Sequence, residues 1–204
     1  MSASLEALLS EVRGCTICAD CLPLGPRPIV QLDRSSRILI VGQAPGRKVH
    51  ESGKPFDDAS GSRLRMWMGI SPEDFYDPRQ VAIVPIGLSF PGTGPSGDFP
   101  PRPECAPTWH SRLLGRLNHV ELKLVIGRYA LRHDLPKDRG SVASTVARWR
   151  EYGPGVIPLP HPSWRNNRWL NDNPWFELEL VPFLQERVRS ALRHNVEESG
   201  ESHG

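Results

Sequence analysis

No stretch of this sequence approaches the ~18 consecutive apolar residues of a membrane span, so no transmembrane helix is expected. The first residues also lack the basic-then-apolar layout of a secretion signal, which points to a cytoplasmic protein. Internal repeats are missing, and a solenoid is excluded with them. Nothing matches the Gly-x-x-x-x-Gly-Lys loop that cradles nucleotide phosphates, which argues against a nucleotide hydrolase. Charge of one sign is scarce in the balance: 25 Lys and Arg against 23 Asp and Glu leave a net +2. Bulk electrostatics therefore neither supports nor excludes a nucleic-acid partner.

Cysteine is scarce as well, with four residues: Cys15, Cys18 and Cys21 in one run, and Cys105 far downstream. In a protein of the reducing cytoplasm, a Cys-x-x-Cys-x-x-Cys run belongs to a metal, a cluster or redox chemistry more often than to a disulfide framework. The other reading is of small apolar side chains near a domain edge.

Proline and glycine are plentiful, at 21 and 18 residues, and imply many fixed turns and long ordered loops. At 204 residues the chain suits one domain, expected over residues 1–194. A small, polar tail from Asn195 onward is expected to be disordered.

The chain is organised around Ile38-Leu39-Ile40-Val41, an apolar run without a polar alternate, which reads as a strand buried on both faces of a parallel sheet. It ends in Gly42-Gln43-Ala44-Pro45-Gly46, at the carboxyl end of the strand, where ligands sit in open α/β sheets. Before it, Leu5, Leu8, Leu9 and Val12 recur at helical spacing over Ser2–Arg13. After it comes a long polar loop, Arg47–Ser60, and then a helix over Gly61–Met68. Val81–Ile86 reads as a second strand that Pro85 brings to an end. The proline- and glycine-rich stretch Leu88–Pro107 is too long for a plain connection and reads as a functional wall. A helix carrying Trp109, Leu113, Leu114 and Leu117 follows, then a third strand over Leu122–Gly127 and a short helix over Arg128–Arg132. Ser141 caps a helix with Val142, Val146 and Trp149. Val156–Leu159 is a fourth strand, ending at Pro160-His161-Pro162-Ser163. A last helix starts near Asn173-Pro174, and Pro182 should kink it. Strands alternating with helices predict an α/β fold: a three-layer α/β/α sandwich around a four-stranded parallel sheet.

Two strand ends carry chemistry, Gly42–Gly46 and His161–Ser163. At this pair the sequence resembles the uracil-DNA glycosylase superfamily, whose members carry Gly-x-x-Pro-Gly after the first strand and His-Pro-Ser or His-Pro-Ala after the fourth. The intermediate Gly53-Lys54-Pro55-Phe56 also matches. Taken together the motifs are closest to the cluster-containing branch called family 4.

The resemblance implies a monofunctional DNA glycosylase of base excision repair. It would hydrolyse the N-glycosidic bond of a deaminated base, uracil first, in DNA, as a nucleoid-associated monomer with no membrane partner and no cofactor for the chemistry. Such chemistry requires a flipped base in a pocket, stabilisation of the departing anion and a water at the sugar carbon. His161 would stabilise the leaving base, Phe56 would stack on it, and Gly42, Ala44 and Ser163 would line its site. Gln43 could hold the water but cannot act as a general base, and Glu stands at this position in the closest branch. Asp57 and Asp58 are the nearest carboxylates, as candidates to polarise the water or as caps of the next helix. Trp164 would be a wedge in the base stack, with Arg165, Asn166, Arg168, Arg47 and Lys48 gripping DNA. Trp169 and Trp175 read as core.

Two further departures bear on specificity and on the cysteines. Pro85 stands where the family's second strand commonly ends in Asn, so uracil is not the sole base to consider, and hypoxanthine is an alternative. Backbone groups of Gly87, Leu88 and Ser89 are potential substitutes for the missing side chain. Ser89 falls near the family's remaining cluster ligand, beside positions matching Cys15, Cys18 and Cys105. Three readings stand: Cys21 completes a structural 4Fe–4S cluster, the four cysteines hold zinc, or no cluster forms. A noncatalytic DNA-binding relative is the alternative to an enzyme.

Overall fold

Ile38–Val41 forms strand β1 with all four residues buried, as an apolar run requires when helices cover both of its faces. The remaining strands are β2 (Val81–Ile83), β3 (Thr93–Gly94), β4 (Gly97–Asp98), β5 (Leu122–Ile126) and β6 (Val156–Leu159). The computed structural model describes residues 4–95, 97–138 and 140–198. Within them the α-helices are α1 (Leu5–Arg13), α2 (Arg47–Ser52), α3 (Ala59–Met68), α4 (Pro72–Phe75), α5 (Ser111–Leu114), α6 (Gly127–Asp134), α7 (Val142–Ala147), α8 (Asn167–Asp172) and α9 (Val181–Glu198). Four strands form one parallel sheet in the order β2-β1-β5-β6. The expected α/β/α sandwich is therefore the fold.

Successive residues of β1 serve opposite layers. Ile38 and Ile40 join Leu124 and Ile157 beneath Leu64 and Trp67 of α3 and Leu184 and Val188 of α9. Leu39 and Val41 face the other way, against Leu8 and Val12 of α1, Leu113 of α5 and Ala130 of α6. Both margins of the sheet are closed. Outside β2, Gln31 exchanges backbone bonds with Ile83 at 3.0 and 2.6 Å, and its side chain donates to the carbonyls of Phe75 and Val81. On β6 the Gly155 carbonyl turns inward to Lys123, so the alternate residue Pro158 turns its missing donor outward, as edge prolines do.

Several elements differ from expectation. The polar loop expected over Arg47–Ser60 contains α2, bounded by Gly46 and by Gly53 at φ 73°, and burying only Val49 and His50. So short a helix has no apolar stripe to read. For the same reason α8, with Leu170 alone buried, occupies part of the stretch expected as a DNA-gripping loop. Helix α3 starts at Ala59, two residues early, because Asp58 is its cap and accepts from the Gly61 amide at 2.8 Å. Ser4 caps α1 in the same way, and Ser2 lies outside the described residues. Strand β2 stops at Ile83, short of Pro85. A π-helical turn, Phe176–Leu180, leads into α9 and places Pro182 in its first turn. Helix α9 itself continues to Glu198, into the region expected as a tail, while 199–204 lie outside the described residues.

Trp169 and Trp175 pack edge-on to Phe176, which also meets Trp67 with ring centroids 4.9 Å apart, so these two tryptophans belong to the core as expected. Phe176→Ala should cost about 3–5 kcal/mol. Urea unfolding followed by tryptophan fluorescence should show a lower midpoint with an unchanged slope.

Candidate functional site

The first loaded strand end is held open by hydrogen bonds that outlast the strand. Ile86 donates to Gly42 O at 2.9 Å and Gly87 to Gln43 O at 2.8 Å, so the chain after β2 stays paired with the chain after β1. Pro85, just before Ile86, lines the hollow beyond the sheet. The amide of Gly87 is thereby used, Leu88 O accepts from Ile29, and Ser89 Oγ accepts from the Arg27 amide at 3.1 Å. None of the three borders the hollow.

Phe56 lies over the first motif. A Cβ at Gly42 would stand 3.5 Å from its ring, in ordinary contact. Phe56 has φ 53°, a left-handed conformation costing a non-glycine residue roughly 1–3 kcal/mol. Its carbonyl is held by Tyr76 Oη at 3.3 Å and Arg65 Nη1 at 3.4 Å, and the ring meets Phe75 edge-on. Gly61 completes the fit, because a Cβ at that position would overlap the Phe56 carbonyl oxygen.

The second loaded strand end follows β6. His161 packs on the end of β5 at Gly127, whose φ of 79° is a left-handed backbone that glycine takes without strain. Asn166 Nδ2 donates to His161 O at 2.6 Å. Arg63 of α3 donates to Ser163 O at 3.2 Å and to Asn167 Oδ1 at 2.8 Å, bracing the turn from the opposite side. Burial pushes the His161 pKa below the ordinary histidine value, against the pull of the Asp58 and Asp98 carboxylates. The imidazole is therefore neutral at pH 7, with one N–H to donate.

Both strand ends open into one cavity of about 540 Å³. Gly42, Gln43, Ala44, Phe56, His161 and Ser163 line it, with Asp58 at its wall and Lys48, Trp164 and Arg165 at its border. Asp57 is exposed and lies off the cavity. Arg47 points its guanidinium over Phe90, and Arg168 stands on α8, solvated, 3.8 Å from Asp172. Asn166 is spent on the His161 carbonyl. Trp164 is 72% exposed, under the Arg165 guanidinium. Among the cavity residues that escaped the sequence reading are Thr93, Asp98, Arg128 and Tyr129. Arg128 and Tyr129 follow the third strand, whose carboxyl end obeys the same rule as the others. Asp98 sits on the Pro- and Gly-rich wall, and no local pattern singles it out.

Residues 29–185 match the family model described as the Uracil DNA glycosylase superfamily. The chain belongs to the uracil DNA glycosylase superfamily. Among solved structures, a candidate uracil DNA glycosylase from Methanosarcina acetivorans, determined by solution NMR, is similar at 18% identity and a TM-score of 0.44, over 78% of this chain and 98% of that one.

The four cysteines of this superfamily member differ in their surroundings. Cys18 and Cys105 are buried together, Cys15 accepts from Trp109 Nε1 at 3.3 Å, and Cys21 is exposed. Ser89, at the remaining position, already receives the Arg27 amide. Among the described residues the cysteine sulfurs form no group of three within 4.8 Å, as zinc would need. The cysteines as the fold holds them thus do not fit a zinc ion. Burial, with Cys105 and Cys15 adding to it, pushes the Cys18 thiol up to about 11.

One such group does occur elsewhere in this superfamily member: His110, His133 and Asp134, beside a second hollow of about 630 Å³ walled by prolines. Asp134 accepts from His133 Nδ1 at 2.6 Å and lies 2.5 Å from Lys123 Nζ, so its charge is already balanced inside the protein. This network ties α6 to β5 rather than serving the strand ends.

Two outcomes follow from these contacts. Gly61→Ala should lower stability by about 1–3 kcal/mol in urea unfolding, whereas Gly155→Ala, with only an ordinary contact at its new Cβ, should change it by less than about 0.5 kcal/mol. With a disulfide reagent at pH 8, Cys21 should react in the first phase, and Cys18 and Cys105 only after denaturant is added, as mass spectrometry of the labelled peptides would read.

Proposed function

We propose that this protein is a monofunctional DNA glycosylase that removes a deaminated base, uracil in the first instance, from DNA as a step of base excision repair. The observation that carries the proposal is the convergence of His161, the Gly42–Gly46 turn and Phe56 on one cavity large enough for a nucleobase. A base swung out of the helix would lie on the Phe56 ring, with Gly42, Ala44 and Ser163 around its edge. The bond from C1′ of the sugar to the base nitrogen breaks, and the base leaves with the electron pair. The neutral His161 imidazole donates its N–H to the charge that gathers on the base, and stabilises it in a water-poor site. A water oxygen then bonds to C1′ and gives up its proton to a carboxylate at the cavity. Asp58 and Asp98 border the cavity and Asp57 does not. Gln43 holds the water.

DNA is engaged at the mouth. Trp164, exposed beside the cavity, is the wedge that fills the gap left by the flipped base, with Arg165 and Lys48 on the flanking phosphates. Arg47 and Arg168, further out, meet the backbone more distantly, and Asn166 acts by holding the histidine loop. Pro85 at the floor brings no side-chain hydrogen bond to the base edge, which favours hypoxanthine or a broader set of deaminated bases as the second reading. With both sheet margins closed, we take the protein to act as a monomer within the cytoplasm, on the nucleoid, without a cofactor in the reaction.

Oligonucleotides carrying uracil, hypoxanthine or xanthine, single- and double-stranded, should yield strand breaks after alkali when incubated with the protein. His161→Ala should reduce the single-turnover rate by about 10²–10³-fold with DNA affinity kept within a few-fold. Binding without any alkali-labile product would replace the enzyme reading with that of a noncatalytic DNA-binding relative.

A further inference from the structure

The reaction needs a proton acceptor for water, and the first motif, with Gln43, supplies none. Two carboxylates border the cavity, and the structure treats them differently. Asp58 caps α3: its Oδ1 accepts the Gly61 amide at 2.8 Å, and Ser62 Oγ donates to its backbone carbonyl. One of its carboxylate oxygens is therefore committed to the helix it starts.

Asp98 belongs to β4, half of a two-residue hairpin whose only register pairs are Thr93 with Asp98 and Gly94 with Gly97. The hairpin brings the Pro- and Gly-rich wall over the strand ends. Thr93 Oγ1 donates to Asp98 Oδ1 at 2.8 Å across the pair, which fixes the plane of the carboxylate. Oδ2 lies over the first motif, 3.5 Å from where a Cβ at Gly46 would stand. The backbone beside it is built for close approach as well. Gly97 has φ 124°, and the Arg165 guanidinium occupies the space its side chain would need, so the hairpin is clasped to the turn that follows His161. The imidazole feels the charge of Asp58 and, less strongly, that of Asp98. Asp98, exposed at the mouth of the cavity, is held by one oxygen and presents the other toward the first motif.

We propose that Asp98 is the general base of this protein, taking the proton of the attacking water on Oδ2 as the water oxygen bonds to the sugar carbon. The assignment rests on the glycosylase reading and adds to it the acceptor that the first motif does not supply. Thr93 is then a positioning residue, and the long wall is a catalytic element rather than a cover.

The test uses the full chain, single-turnover release of uracil, hypoxanthine or xanthine from an oligonucleotide, and binding of an abasic-site oligonucleotide of the same sequence. Asp98→Asn should lower the rate by about 10²–10³-fold while abasic-DNA affinity stays within about threefold of wild type. Asp98→Glu should recover at least about tenfold of that loss. Asp58→Asn keeps an equally good helix cap and should lose less rate than Asp98→Asn. The assignment is overturned if Asp98→Asn stays within about threefold of an active wild type, if Asp58→Asn is the slower variant, or if affinity falls in step with rate, since Asp98 would then be a strut of the hairpin. A wild type that releases none of the three bases overturns the glycosylase reading itself, and the role of Asp98 with it.

Discussion

The backbone pairing of β1 with its two neighbours is the constraint on which the other features depend. Ile38–Val41 is bonded on one side to Val81–Ile83 and on the other to Leu122–Val125, so its end cannot move without the sheet. The ladder runs on past the strand through Gly42 and Gln43, and it is this continuation that gives a five-residue turn with two glycines a fixed shape. Parallel strands all finish at the same margin of the sheet, so Gly42, Pro85, Gly127 and Pro160 are brought to one rim by topology alone.

On that rim, space is made by leaving side chains out. Gly61 admits the Phe56 carbonyl and Gly97 admits the Arg165 guanidinium, while Gly42 and Gly127 stand in ordinary contact with Phe56 and His161. The strained backbone at Phe56 is supported by hydrogen bonds from Tyr76 and Arg65, both drawn from the same layer of helices that fills the space beneath the sheet. Packing beneath the sheet and the placement of the Phe56 ring are thus coupled at Gly61, where a methyl group would strike the Phe56 carbonyl and Cβ.

Much of this was legible in the sequence, and the reasons are physical. Buried strands announce themselves as apolar runs, and the four runs beginning at Ile38, Val81, Leu122 and Val156 are the four strands of the sheet. The two loaded turns follow because strand ends are where a site forms. What was illegible depended on tertiary context. Helices α2 and α8 bury one or two residues each, and their polar sequences read as loops. Asp98 is brought to the cavity by a hairpin two residues long on each side, far below the length at which alternation becomes a signal. Asp57 and Asp58 are equivalent on paper, and only the folded backbone separates the exposed one from the one at the cavity. The cysteine spacing pointed to a centre, but one vacant position, Ser89, is already committed to the Arg27 amide.

Gln31 outside β2 and Pro158 on β6 have a consequence for the protein in a crowded compartment. Parallel sheets with bare flanks recruit strands from other chains, and the product is fibrous rather than soluble. Here one flank is zipped by a residue of the same molecule and the other is blunted by an imino acid, so growth of the sheet is blocked in both directions. Encounters between copies through backbone pairing are thereby disfavoured at both flanks.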